Sequence, residues 1–372
     1  MHQDIEAPVR PSTTQPGTAV PGAGTETGSE SARAQDQALP ADAHPSLTDL
    51  TDVIWPHAVR AAVGLGLPDL LADAGRTAAE LAAATGTEFT TLARLLNYLA
   101  TRDVLVRQDG TRYRLAPRAQ VLRTDHPHSL ASWLDPHGAS GRLEQAAAEV
   151  LHSIRHGKPG YPQRFGRTFW EDLTENPVLG NAFDTFMAEY SLMRTSDVIE
   201  KYDWASARRI VDVGGGNGSI LRRILEATPD TTGILVDLPV ATAAAAASFS
   251  EAGFGTRAGV RTQSFFDPLP TADGDVYLLA NVLNDWPDSD ASRILDGCRH
   301  GAAEAGGKVV VIEWHPPREA DFTSTDLLSL VLVGGRLRRT EDLADLFSSA
   351  GLTIERDYAT ATGALMFVCA PA

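Results

Sequence analysis

Apolar side chains recur at helical spacing from Leu47 to Leu71, and the following Thr77-Ala-Ala-Glu80 has the form of a capping box that opens a helix through Ala84. A further helix is predicted from Thr90 to Thr101. Val104 to Leu115 then alternates apolar and polar positions around Asp109-Gly110, which signals a hairpin. Helices followed by such a wing describe a winged helix-turn-helix. The pattern is helical again over Glu144–Arg155, Trp170–Leu173 and Pro177–Glu200. On the last of these, Phe183, Phe186, Met187, Tyr190 and Met193 share one face, suited either to core packing or to the wall of a substrate pocket. Beyond residue 200 the period changes. Apolar runs at Val211–Val213, Thr232–Asp237, Val276–Leu283 and Val309–Glu313 alternate with helical stretches, and Ala364–Ala372 closes the chain as one arm of a hairpin. Strand and helix in alternation predict an α/β fold.

Composition narrows the class. The chain has 372 residues, 43% of them hydrophobic, enough for at least two domains' worth of core. Residues 1–45 contain no aromatic side chain, four of Leu, Ile, Val or Phe, and six prolines, so they are expected to be a disordered tail. The boundaries expected after it are a mainly helical domain over 46–195 and an α/β domain over 196–372. A net charge of −16 disfavours nucleic acid and anionic membranes as partners. The winged module fits a DNA reader poorly: residues 46–114 carry seven Arg against eight Asp or Glu, and the helix from Thr90 to Thr101 offers only Arg94. Neither a signal peptide nor a membrane-length apolar run is present, and the two cysteines, Cys298 and Cys369, form no disulfide framework, so a cytoplasmic setting is expected.

The chemistry concentrates at Val211-Asp-Val-Gly-Gly-Gly-Asn-Gly218, an apolar strand running into a glycine turn and then a helix from Ser219 to Ala227. Glycines here permit positive φ and let a ligand press against bare backbone beside free helix N-terminal amides. Gly214, Gly216 and Gly218 are spaced G-x-G-x-G, whereas a dinucleotide fingerprint places its third glycine one position later, where Ser219 stands. No Lys or Arg lies in the turn, which favours a cofactor without phosphates. Asp237 ends the next strand 19 positions beyond Gly218. A carboxylate there suits a ribose diol, although it also suits a helix cap. Metal ligation lacks support, because His300 and His315 stand isolated from other ligand types.

The ordered set VDVGGGNG, LVDLP, SFFDPLP, NVLNDWPDSDASRIL, GGKVVVIE and ALMFVCAPA, with Gly160-Tyr-Pro and Phe169-Trp-Glu-Asp-Leu before it, resembles the S-adenosylmethionine-dependent O-methyltransferases of small molecules. The similarity is greatest to the bacterial branch that tailors aromatic polyketides and related antibiotics, and it covers roughly residues 46–372. It implies a Rossmann-like class I methyltransferase domain preceded by a winged-helix-like dimerisation domain, and hence a homodimer acting on a small aromatic substrate. By the same resemblance Asp212, Gly214, Gly216 and Gly218 hold the methionine end of S-adenosylmethionine. Asp237 holds the ribose and Phe265 stacks on the adenine, with Leu238, Ser264 and Ala280 as further cofactor-binding residues. Trp170, Met187, Tyr190, Asn281 and Arg339 line the acceptor.

Departures from the family pattern fall at the reacting end. A phenol has a pKa near ~10, and most of the resembled enzymes place a histidine before the Asp-Trp pair as its base. This chain has Asn284, and an amide does not take up a proton at neutral pH. The family's acid for the adenine amino group is replaced by Ser264, and its glutamate after the glycine pair by Arg336-Leu-Arg-Arg339. Asn284, Asp285 and Glu313 are the remaining candidates for catalytic roles. Three reactions are compatible: O-methylation by alignment alone, methylation of carbon or nitrogen, and a repurposed use of the site for hydroxylation, decarboxylation or rearrangement. The first is preferred.

Overall fold

The computed structural model describes residues 47–271, 275–316, 318–360 and 363–372, without the side chains of 48, 49, 188–196, 198 and 320. The tail expected over residues 1–45 lies outside the described residues. Leu47–Thr51 is a short 3-10 turn. The helical pattern expected from Leu47 to Leu71 is not one helix: Trp55–Gly64 is separated from Leu67–Leu70 by Gly66 at φ 66°.

Strand β1 (Arg76–Thr77) leads into the helix Ala78–Thr85, whose capping box is present in full: Thr77 accepts from Glu80 N, and the Glu80 carboxylate accepts from Thr77 N. The helix Phe89–Thr101 begins at Glu88, which caps it by accepting from the backbone N–H of Thr90 and Thr91. Strands β2 (Leu105–Gln108) and β3 (Arg112–Leu115) form the wing, with β3 between β1 and β2. Leu81, Leu92, Leu96, Leu99 and Tyr113 close a separate core beneath it. The stretch Glu144–Arg155, expected as one helix, is two, Ala139–Ala147 and Val150–His156. Helices Phe169–Glu175 and Pro177–Ile199 follow, and Leu173 and Leu179 pack with Tyr161 and Val331 in another core.

The remaining strands are β4 (Arg209–Val213), β5 (Thr232–Asp237), β6 (Ala258–Thr262), β7 (Asp275–Ala280), β8 (Lys308–Trp314), β9 (Leu352–Ala359) and β10 (Ala364–Pro371). They form one sheet in the order β6-β5-β4-β7-β8-β10-β9, with β10 antiparallel to both neighbours and the pairs from β6 to β8 parallel. Helices cover both faces. Ile294, Leu295 and Cys298 of the helix Asp288–Ala305 pack one side, and Leu221, Leu225 and Phe249 of the helices Ser219–Ala227 and Pro239–Glu251 pack the other. Strands covered on both faces are mostly apolar, which explains the buried runs at Ile210–Val213, interrupted by Asp212, and at Val276–Leu279. The chain winds outward from β4 in both directions. The crevice beyond the C-terminal ends of β4, β5 and β7 is where such sheets accept ligands.

Among the described residues no helix is long and apolar enough to cross a membrane.

Candidate active site

A cavity of about 370 Å³ opens at that crevice, between the sheet and the helices that precede it. Its floor is the glycine turn. Gly214, Gly216 and Gly218 have φ of 74°, 58° and 78°, a region that side chains rarely adopt. The three glycines answer different needs. A Cβ on Gly214 would come 2.9 Å from Val282, and one on Gly218 would come 2.6 Å from Phe249, whereas Gly216 has nothing within 4 Å. Gly216 faces the cavity, as do Gly214 and Gly215; Gly218 is buried against Phe249 and is absent from the lining. Its expected contact with a ligand is thereby replaced by close packing of the turn on the helix Pro239–Glu251.

The turn is tied to the next strand. Gly214 donates to the carbonyl of Val236 at 2.9 Å, and Gly216 donates to Oδ2 of Asp237 at 2.9 Å. The other oxygen of Asp237 accepts from Leu238 N at 2.7 Å. Burial pushes this carboxyl up, while the two backbone bonds pull it back. Asp212 differs. Its carboxylate is wholly buried beneath Gly215, where a Cβ would approach Oδ2 to 2.3 Å, and neither oxygen has a hydrogen-bond partner. Burial, aided by the charge of Asp237, pushes it up to about 7. An unpartnered buried carboxylate costs several kcal/mol unless a cation or donor arrives, so the pocket fits a ligand bearing an ammonium group at this point.

Aromatic rings wall the opposite side. Phe265 and Phe266 lie edge-on to Trp286 at 5.7 and 5.0 Å, and Trp170 stacks on Trp286 at 6.1 Å with the planes 14° apart. Leu238, Ser264 and Ala280 border the same space, and Met187 and Trp170 reach it from the preceding helices. Asn281 also borders it, at φ 55°, but its Oδ1 accepts from Trp314 N at 3.0 Å and so braces β7 against β8. Tyr190 lies in the helix Pro177–Ile199 with its side chain outside the described residues. Arg339 is elsewhere. It pairs with Glu319 at 2.6 Å on the surface and lies over Phe322, which corrects its expected place beside the acceptor.

Asn284 and Asp285, two of the candidates for catalytic roles, lie in the 3-10 turn Leu283–Asp285. Asn284 donates its side-chain amide to Oε2 of Glu313, whose Oε1 accepts from Leu283 N at 3.1 Å. Glu313 is fully buried and pushed up to about 8 by that burial. Asp285 borders the cavity, and burial alone pushes it up to about 7.

Two residues escaped the sequence reading. Asp184 borders the cavity from the helix Pro177–Ile199 and is pushed up to about 7 by burial and by Asp237. The signal was a carboxylate adjoining the stripe of Phe183 and Met187. Arg338 is 1% exposed and donates to the carbonyls of Leu283 at 2.7 Å and Trp286 at 2.8 Å, with Nε on Asp288 at 2.8 Å. Nothing in the run Arg336–Arg339 distinguished this buried arginine from its exposed neighbours.

Comparison with known proteins agrees with this geometry. The O-methyltransferase domain matches residues 148–353, and the O-methyltransferase dimerisation domain matches residues 49–125. The chain is 41% identical to the 2,7-dihydroxy-5-methyl-1-naphthoate 7-O-methyltransferase of Streptomyces carzinostaticus, over 84% of this chain and 93% of that one. It is 36% identical to the aclacinomycin 10-hydroxylase RdmB of Streptomyces purpurascens, over 86% and 87% of the two chains. Among solved structures it superposes with TM-score 0.82 and 38% identity on NcsB1 of neocarzinostatin biosynthesis in complex with S-adenosylmethionine and 2-hydroxy-5-methyl naphthoic acid, covering 89% of this chain and all of that one. With a glycine turn, an unpartnered acid and an aromatic wall at the switch point of the sheet, the chain belongs to the S-adenosylmethionine-dependent O-methyltransferases.

Proposed function

We propose that the protein methylates a hydroxyl of a small aromatic natural product. The observation that carries the reading is the pair of unpartnered, fully buried oxygens of Asp212 beside the glycine turn, in a cavity whose other walls are aromatic. In this reading Asp212 takes the amino group of the methionine moiety, and the backbone of Gly214 and Gly216 lies along it. Asp237, already oriented by Gly216 and Leu238, turns its remaining lone pairs to the ribose diol. Phe265 faces the adenine, with Leu238, Ser264 and Ala280 around it. Bound S-adenosylmethionine supplies an electrophilic methyl group on a sulfonium.

The residues of the acceptor half align and exclude water. Trp170, Trp286, Met187 and Asn281 hold a flat aromatic acceptor, and the mainly apolar lining keeps solvent from the displacement. The substrate class rests on the relatives, whose names include a dihydroxynaphthoate O-methyltransferase. Residues 46–195 form the helical module through which two copies associate, supported by the match of residues 49–125 to a dimerisation domain. Residues 196–372 then form the catalytic domain.

Calorimetric titration with S-adenosylmethionine and S-adenosylhomocysteine, followed by incubation with methyl-labelled cofactor and hydroxyarenes, tests the reading. Binding with label on oxygen is the expected result. A second reading, repurposed chemistry without methyl transfer, is favoured by one observation, the 36% identity to a protein named as a hydroxylase. It predicts cofactor binding and an altered product that carries no label.

A further inference from the structure

Three groups stand at the reacting end, and their surroundings differ. Glu313 has no exposure, and its two oxygens are occupied by Leu283 N and the Asn284 amide. It has no face on the cavity. Asn284 is committed to Glu313, is not basic, and is likewise absent from the lining. Asp285 does border the cavity, and among the described residues no donor bonds its carboxyl. Its backbone is held from both sides. Asp285 N donates to the carbonyl of Val282 at 3.2 Å, and Arg338 grips the carbonyls of Leu283 and Trp286. Asn284 O accepts from Ser329 Oγ and Arg336 N at 2.8 and 3.0 Å. The one ionisable group of this turn that is open to the cavity is thus fixed on a rigid turn.

We infer that Asp285 accepts the proton of the acceptor hydroxyl, with Asn284, Glu313 and Arg338 as positioning residues. The inference rests on the O-methyltransferase reading above. In the step, the hydroxyl O–H bond breaks and its proton passes to the Asp285 carboxylate as the oxygen forms the new bond to the methyl carbon. The carbon–sulfur bond breaks, and its electron pair stays on sulfur as a neutral thioether. Carboxylate and sulfonium together become a neutral acid and a neutral sulfide, and the acid then loses its proton to solvent. The charged groups around Asp285 are Glu313 on β8, Arg338 and Asp288 behind the turn, and Asp184, Asp212 and Asp237 on the rest of the lining. With burial pushing Asp285 up to about 7, its basic form gains population as pH rises through neutrality.

The test uses the full-length protein, methyl-labelled S-adenosylmethionine held saturating at every pH, and dihydroxynaphthoic acid and dihydroxyanthraquinone as acceptors. Wild-type kcat/KM is expected to rise with pH through about 7. Asp285→Asn is expected to bind S-adenosylhomocysteine within about twofold of wild type while kcat/KM falls about 100-fold or more and the rising limb disappears. Asp285→Glu is expected to recover part of the rate together with the limb. An asparagine variant that keeps both rate and limb overturns the assignment, and so does one that folds but no longer binds S-adenosylhomocysteine, since the carboxyl would then serve the cofactor. Should the asparagine variant not fold, a flat wild-type profile between pH 6 and 8 overturns it equally. Wild type that binds the cofactor and moves no label removes the O-methyltransferase reading and this inference with it.

Discussion

The side chain of Asn284 donates to Oε2 of Glu313, so the residue that replaces the family's basic histidine is tied to the strand-end acid of β8. The contact joins two neighbouring strand ends without supplying a base. Asn284→Ala would leave one oxygen of a fully buried carboxyl without its donor. We expect a loss of about 1–3 kcal/mol in unfolding free energy, measured by denaturant titration, with cofactor affinity unchanged.

The glycine turn gives a paired comparison. Gly218→Ala would drive a Cβ to 2.6 Å from Phe249, so its thermal midpoint should fall by several degrees. Gly216→Ala meets only the strain of φ 58°, about 1–2 kcal/mol, and projects into open space. Its principal effect should be a cofactor Kd raised at least tenfold in calorimetry. Equal stability losses in both variants, with cofactor affinity intact in the second, would remove Gly216 from the cofactor's path.

Cofactor affinity should depend on pH through Asp212. In the free protein its carboxyl is pushed up to about 7, and a neighbouring ammonium favours the ionised form. Binding below pH 7 therefore requires loss of a proton. Affinity should weaken as pH falls from 7 toward 5, and calorimetry in buffers of different ionisation enthalpy should show proton release near pH 6. An affinity independent of pH over that range would contradict the pairing.

Arg338→Lys tests the support of the reacting turn. A single ammonium cannot reproduce a fork that reaches two carbonyls and Asp288. The expected cost is about 1.5–3 kcal/mol for each charge-assisted bond lost, seen as a lower thermal midpoint. Methyl transfer should fall while S-adenosylhomocysteine binding stays near wild type.

The sequence made the cofactor side of the site legible because backbone requirements leave visible marks. A glycine turn at positive φ admits few residue types, and Asp237 ends β5 where its carboxylate can accept from Gly216 N of that turn. The acceptor side was less visible. Met187 and Trp170 border the cavity whereas Arg339 does not, and the sequence could not separate them because three arginines fall within Arg336–Arg339 and only packing distinguishes the buried Arg338 from its neighbours. Asp184 went unnoticed for a related reason. On a helix, one carboxylate beside an apolar stripe does not reveal which strand end it will meet.

The glycine turn hangs from the sheet, through Val236 and Asp237, whereas Trp170 and Met187 arrive on helices outside it. A chain organised in this way can change what it modifies by altering a few positions on two helices, leaving its grip on the methyl donor untouched. New acceptors would then be reached sooner by shuffling the segment from Phe169 to Ile199 between relatives than by any change within the strands.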